Sequence, residues 1–112
     1  MTDCLFCSIA AGDIPADIVL RTPEFVAFRD INPQAPVHIL VIPVEHHENI
    51  AALGAQNPEL AGGLVAATEK VAQDAGLSDY RLVFNTGAEA GQTVFHVHGH
   101  VLGGRDLNWP PG

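Results

Sequence analysis

Apolar residues along this chain gather in short runs separated by Pro, Gly, Asn and Asp, with one longer stretch of helical period among them. Residues 17–21 and 24–28 are rich in Ile, Val and Phe and flank Thr22-Pro23, which predicts two antiparallel strands joined by a tight turn. Residues 37–42 are apolar apart from His38 and are closed by Pro43, the pattern of a strand lying centrally in a sheet. The intervening residues 30–36 hold Pro33 and Pro36 and form a loop, because proline cannot donate to a ladder. A further strand is predicted over residues 80–85 and a glycine-containing loop over 86–92.

Two helices and a helical turn complete the pattern. Residues 4–10, with Asp3 as N-cap and Gly12 as stop, read as a short helix that sets Cys4 and Cys7 one turn apart on one face. Residues 49–53 read as a helical turn. Asn57 as N-cap and Pro58 at the first helical position open a long helix ending near Gly76. Its apolar stripe is Leu60, Leu64, Val71 and Ala75, with Ala61, Val65 and Ala72 beside them. Gly62, Gly63, Ala66 and Ala67 are small enough for close approach, either by another part of the core or by another subunit.

The remaining run, residues 96–102, alternates His96, His98 and His100 with strand-forming or apolar residues. In a strand the three imidazoles share one face and Phe95, Val97 and Val101 take the other, whereas a helix would scatter them. One such histidine is ordinarily a hydrogen-bonded structural residue; three on one face form a chemical surface. They do not share one metal ion, since strand positions i and i+4 lie roughly 13 Å apart and ligand nitrogens on one ion only about 3.3 Å. Gly99, inside the run, should loosen the strand.

Composition narrows the chemistry. Hydrophobic residues make up 47% of the chain, too many for disorder, and its 112 residues suit one domain spanning 1–112. The formal charge of -8, with only five Lys and Arg, argues against nucleic-acid and anionic-membrane partners. A bound phosphate would therefore rely on imidazolium, backbone N–H groups or a metal ion. No apolar run approaches the roughly 20 residues of a membrane span, and the acidic start is unlike a signal peptide, so a cytoplasmic location is expected. The only cysteines, Cys4 and Cys7, form a Cys-x-x-Cys pair without a preceding strand, which favours half a zinc site over a thioredoxin-type redox motif.

The pattern His-φ-His-φ-His-φ-φ at residues 96–102, φ being hydrophobic, resembles the histidine-triad (HIT) family. So do Cys4-Leu5-Phe6-Cys7, residues 30–38, Gly91-Gln92-Thr93-Val94-Phe95-His96, and the end from Gly103-Gly104-Arg105 to Trp109-Pro110-Pro111-Gly112. That end resembles the Hint branch, and His100 stands where dinucleoside-polyphosphate hydrolases of the family carry glutamine. Gly99 departs from the pattern at a φ position. The resemblance implies an α+β fold with a five-stranded antiparallel sheet, one long and one short helix, working as a homodimer in which Trp109 approaches the partner's site.

It also implies a hydrolase of purine nucleoside phosphoramidates, with His98 as nucleophile and His100 and His38 supplying or relaying the proton. Asn85, Gly91, Thr93, His98 and His100 would hold the phosphate, Asp30 the ribose, and Leu5, Phe6, Ile9, Phe28 and Ile31 the base. Without the resemblance those apolar residues are core and Asp30 is a turn residue. A structural zinc ion would take Cys4, Cys7, His46 and His96; His47 is the rival to His46, since a slip of one exchanges them. Dinucleoside-polyphosphate hydrolysis, nucleotidyl transfer, a non-catalytic nucleotide-binding zinc protein and a catalytic metal hydrolase are the competing functions.

Overall fold

The computed structural model describes residues 4–112. The strands are β1 (Ile18–Arg21), β2 (Phe25–Arg29), β3 (Val37–Pro43), β4 (Tyr80–Val83) and β5 (Gly99–Gly103), and the helices α1 (Leu5–Ala11), α2 (Ile50–Gln56) and α3 (Pro58–Asp74). The strands form one antiparallel five-stranded sheet in the order β1-β2-β3-β5-β4. The α+β expectation holds, with three helices rather than two, because the turn at residues 49–53 extends into α2. Among the described residues no helix is long and apolar enough to cross a membrane.

β3 lies at the centre, and both its faces are covered. Ile39 and Val41 join Ala27, Val97 and Val101 beneath Leu64, Val71 and Ala72 of α3, while Leu40 and Ile42 join Val26 and Phe28 beneath Phe6 and Ile9 of α1. This two-sided burial explains a strand without polar alternation. The apolar stripe of α3 differs from expectation at two places. Val65 is exposed, and its place is taken by buried Thr68, whose hydroxyl donates to the Val65 carbonyl at 2.6 Å. Asn57 caps α3 as expected, accepting the Leu60 N–H. Of the small residues on α3, Gly63 serves the core, since a Cβ there would lie 2.9 Å from Phe25 Cζ, whereas Gly62 faces open space.

The histidine run is the main correction. The ladder of β5 begins at Gly99, so His100 alone of the three is a strand residue, and His96 and His98 lie in the segment leading into it. The Val97 N–H bonds the His47 carbonyl instead of a strand neighbour, and Phe95 is exposed rather than packed. Phe6 still lies against both rings, 6.2 Å from His96 and 5.0 Å from His98 between centroids, so all three histidines face the α1 side. The expected Asp3 cap falls outside the described residues; the Cys4 Sγ accepts the Cys7 N–H at 3.3 Å as N-cap of α1.

At Gly99 the packing that glycine itself cannot supply comes from its neighbours. A Cβ at this position would lie 2.9 Å from Phe84 Cζ and 3.1 Å from Leu82 Cδ1, so neighbouring side chains already occupy the volume that a hydrophobic residue would take. Gly99→Ala should therefore destabilise the protein by about 1–3 kcal/mol through overpacking, read as a lower urea midpoint at unchanged slope.

Candidate active site and metal centre

Four parts of the chain converge on the α1 face around a cavity of about 630 Å³. Leu5, Phe6 and Ile9 come from α1, Phe28 and Leu40 from the sheet, Asp30 and Ile31 from the following loop, and Thr93, Val94, His98 and His100 from the run into β5. Asn85 and Gly91 are not on this wall. They lie beside each other in the loop after β4, where a Cβ on Gly91 would approach Asn85 Nδ2 to 3.6 Å. The Gly91 N–H is already bonded to the Ala88 carbonyl at 3.0 Å and is not free for an anion.

Main-chain partners decide which nitrogen of His98 and His38 carries a proton, and His38 in turn decides it for His100. His98 Nδ1 lies 2.8 Å from the His96 carbonyl, which can only accept, so the proton is on Nδ1 and the Nε2 of the neutral ring keeps its lone pair. His38 Nδ1 accepts the Gln34 N–H at 3.0 Å, which puts its proton on Nε2, 2.9 Å from His100 Nδ1. His100 Nδ1 must then accept, leaving the proton of His100 on Nε2. The Asp30 carboxylate lies 3.4 Å from His38 Nε2, a partner for any positive charge on that ring.

Electrostatics keep this group neutral. Burial holds His100 down at about 4, helped by the neighbouring His98 and His38 and opposed by Asp30. Burial also lowers His38 and His98; Asp30 opposes it in both, and in His98 the bond to the His96 carbonyl does so more strongly.

A second cluster lies at the start of α1. The ligand atoms of Cys4, Cys7, His46 and His96 all fall within 4.8 Å of one another. His96 Nδ1 is 3.3 Å from Cys4 Sγ, 3.5 Å from Cys7 Sγ and 3.2 Å from His46 Nδ1, and Cys7 Sγ is 3.4 Å from His46 Nδ1. Around one tetrahedral ion of ordinary bond lengths, S···N and N···N edges would be about 3.5 and 3.3 Å. The donor set therefore fits a metal.

The tautomer agrees, because His96 Nε2 donates to the Pro43 carbonyl at 2.8 Å and leaves the Nδ1 lone pair aimed into the cluster. Burial holds His96 down at about 4, so the lone pair stays free of a proton. Burial first, then the Cys4 partner, pushes the Cys7 thiol up to about 11, and a bound cation would offset this. His47 points elsewhere, its two nitrogens 2.7 Å from Glu45 Oε1 and 3.0 Å from Gln56 Oε1. Asp30, His38 and His100 also cluster within reach of one ion, but there the tautomer is wrong, since the His38 nitrogen facing the group carries its proton.

The sequence pattern passes over two further contributors. Gln92 is buried, donates to the Glu48 and Val94 carbonyls and accepts the Gly87 N–H, tying the loop before His96 to the β3–α2 connection. The Pro43 and His96 carbonyls and the Gln34 N–H are main-chain groups and leave no trace in residue type.

Comparison with known proteins decides the family. The model of the HIT domain matches residues 11–107. The chain belongs to the HIT family. An uncharacterized HIT-like protein of Synechocystis sp. is 48% identical to this HIT chain over 111 residues, covering 98% of this chain and 97% of that one. Among solved structures, a HIT family hydrolase from Legionella pneumophila is similar at 48% identity and a TM-score of 0.94, covering 98% of this chain and 100% of that chain. A HIT family hydrolase from Clostridium thermocellum is 42% identical, with a TM-score of 0.91 and 96% of each chain covered.

The burial of His100 in this HIT protein has a direct consequence. Its imidazole, faced by Asp30, His38 and His98, should remain neutral from pH 7 down to about pH 4, followed by ring NMR signals. The unfolded chain, titrating near the ordinary value of 6.5, binds that proton first, so this residue's effect on stability weakens the fold as pH falls from 6.5 toward 4.

Proposed function

We propose that this HIT protein hydrolyses the P–N bond of purine nucleoside phosphoramidates through a covalent nucleotidyl-histidine. One observation carries the reading: His98 and His100 stand on one cavity wall with opposite polarity, a lone pair on His98 Nε2 and a proton on His100 Nε2. A neutral imidazole can attack phosphorus at neutral pH without a separate base. An amine leaves poorly unless protonated, and the His38–His100 pair supplies a donor beside the attacking ring.

In the first step His98 Nε2 bonds to phosphorus as the P–N bond breaks, and the amine departs with a proton taken up from solvent and passed on through His100 Nε2, which leaves the His38–His100 pair neutral. Water then attacks phosphorus, its proton leaves by the same route, and His98 and the nucleoside monophosphate are freed. Two displacements retain configuration at phosphorus. Phe6, Ile9 and Phe28, with the exposed Leu5 and Ile31 at the rim, form the apolar part of the cavity wall and suit a purine. Asp30, at the head of its loop, suits the ribose hydroxyls, and Thr93 suits the phosphate. Asn85 and Gly91, side by side in the loop after β4, are the further residues assigned to the phosphate.

The metal centre belongs to the same reading. Cys4, Cys7, His46 and His96 suit a structural zinc ion, four protein ligands leaving no open position for substrate. When bound, zinc would supply cross-linking of α1 to the sheet rather than Lewis-acid chemistry. A homodimer is also part of the reading. It is supported by Trp109, which is 80% exposed, and by the exposed Gly62, Val65 and Ala66 on α3.

Purified protein given an AMP-amine phosphoramidate should release AMP, and His98→Ala should lose at least about a thousandfold in kcat, the scale of losing a covalent nucleophile. Faster turnover of dinucleoside polyphosphates would move the assignment to another leaving group, and AMP binding without turnover of either would mean a binding protein. Metal analysis should give one zinc per chain, abolished or strongly weakened in His46→Ala and unchanged in His47→Ala. Chelation should lower the melting temperature, and a loss of turnover that precedes any loss of structure would refute the structural role.

A further inference from the structure

Arg105 follows the Gly103-Gly104 pair at the end of β5, and the chemistry above gives it no task. Its guanidinium crosses to the 30–36 loop, where Nε and Nη2 both donate to the Gln34 carbonyl, at 3.2 and 2.9 Å. Nη1 donates to the Asp106 carbonyl at 2.8 Å, which fixes the fork. Gly104 permits the crossing, with φ at +92°, a conformation that other residues rarely adopt, and a Cβ there would press on Pro36 Cβ at 3.0 Å. The loop is held at its other end by Asp30, whose Oδ1 accepts the Asn32 N–H at 2.8 Å and whose own N–H bonds the His38 carbonyl at 3.0 Å.

The residue that Arg105 grips is the one that sets the His38 ring. Gln34 gives its N–H to His38 Nδ1, and with Pro33 and Pro36 beside it the loop has few other amides to offer. We infer that Arg105 is a positioning residue for the His38–His100 pair, fixing through Gln34 the nitrogen on which His38 carries its proton.

The consequence is one of hydrogen-bond direction. With its proton on Nε2, His38 donates to His100 Nδ1, and His100 turns a donor toward the cavity. With its proton on Nδ1, His38 would present a lone pair to His100. His100 would then need its own proton on Nδ1 and would face the cavity as an acceptor. A phosphate oxygen or a departing amine requires the first arrangement. Lysine, a point charge without the fork, would hold Gln34 less well.

This inference rests on the phosphoramidate reading only for its kinetic consequence. The test is proton–nitrogen correlation NMR of the imidazole rings in full-length, metal-loaded protein, alongside kinetics with the AMP-amine substrate. Wild-type His38 should show an unprotonated Nδ1. Arg105→Gln should give an averaged His38 signal and a kcat about tenfold lower with a smaller change in KM, as for other partners that orient an active-site ring. Arg105→Lys should recover part of both, and should Arg105→Gln fail to fold, its spectra decide instead.

A protonated Nδ1 in the wild type overturns the inference, as does a folded Arg105→Gln with unchanged His38 signals, whatever its kcat. Absence of turnover by the wild type would refute the phosphoramidate reading and leave the ring signals to decide this one.

Discussion

Three of the functional histidines, His38, His96 and His98, have one ring nitrogen held by a main-chain group, and the remaining nitrogen takes its role from that. The Pro43 carbonyl turns the lone pair of His96 toward the cysteines, the His96 carbonyl turns that of His98 away from the backbone, and the Gln34 N–H turns the proton of His38 toward His100. Each bond alone is worth only about 1 kcal/mol net. Their value lies in what they forbid, since a neutral imidazole has one proton and a buried ring with the wrong one would set lone pair against lone pair. His96 joins the two centres, its ring in the cysteine cluster and its carbonyl on the nucleophile.

The sheet supplies rigidity for this arrangement unevenly. β3 is covered on both faces, and His38 rides on it; α3 supports the far side with a long apolar contact. The near side depends on α1, only seven residues long and too short to be stable by itself. Phe6 carries much of its attachment, packed edge-on against Phe28 and His98 at 5.3 and 5.0 Å. Two of the cavity's walls, Leu5 and Phe6, thus sit between the two cysteines of the metal centre, in the same turn of helix.

What the sequence made legible follows from this division. Strands whose side chains do the packing and the start of α3 at Asn57 and Pro58 could be read from residue type and period, whereas the partnership of His38 with the histidine run came from the family resemblance. The start of β5 could not be read in this way. Alternation at 96–102 is a side-chain pattern, whereas the ladder ends because the Val97 amide bonds the His47 carbonyl, a partner distant in sequence. The same holds for the choice between His46 and His47, made by Glu45 and Gln56 drawing the second ring away. It holds also for Thr68, a polar residue that enters the α3 core because its hydroxyl is satisfied within its own helix.

The fit between Gly99 and Phe84 reaches beyond this one chain. The two positions share a single volume, most of it assigned to the ring from β4's end and none to the strand that follows the nucleophile. A descendant that gains a side chain at 99 while keeping Phe84 is overpacked, and one that trims Phe84 while keeping glycine has a void. A side chain gained at 99 and a smaller one at 84 would offset each other, so the effects of substitutions at these two neighbouring positions are coupled rather than additive.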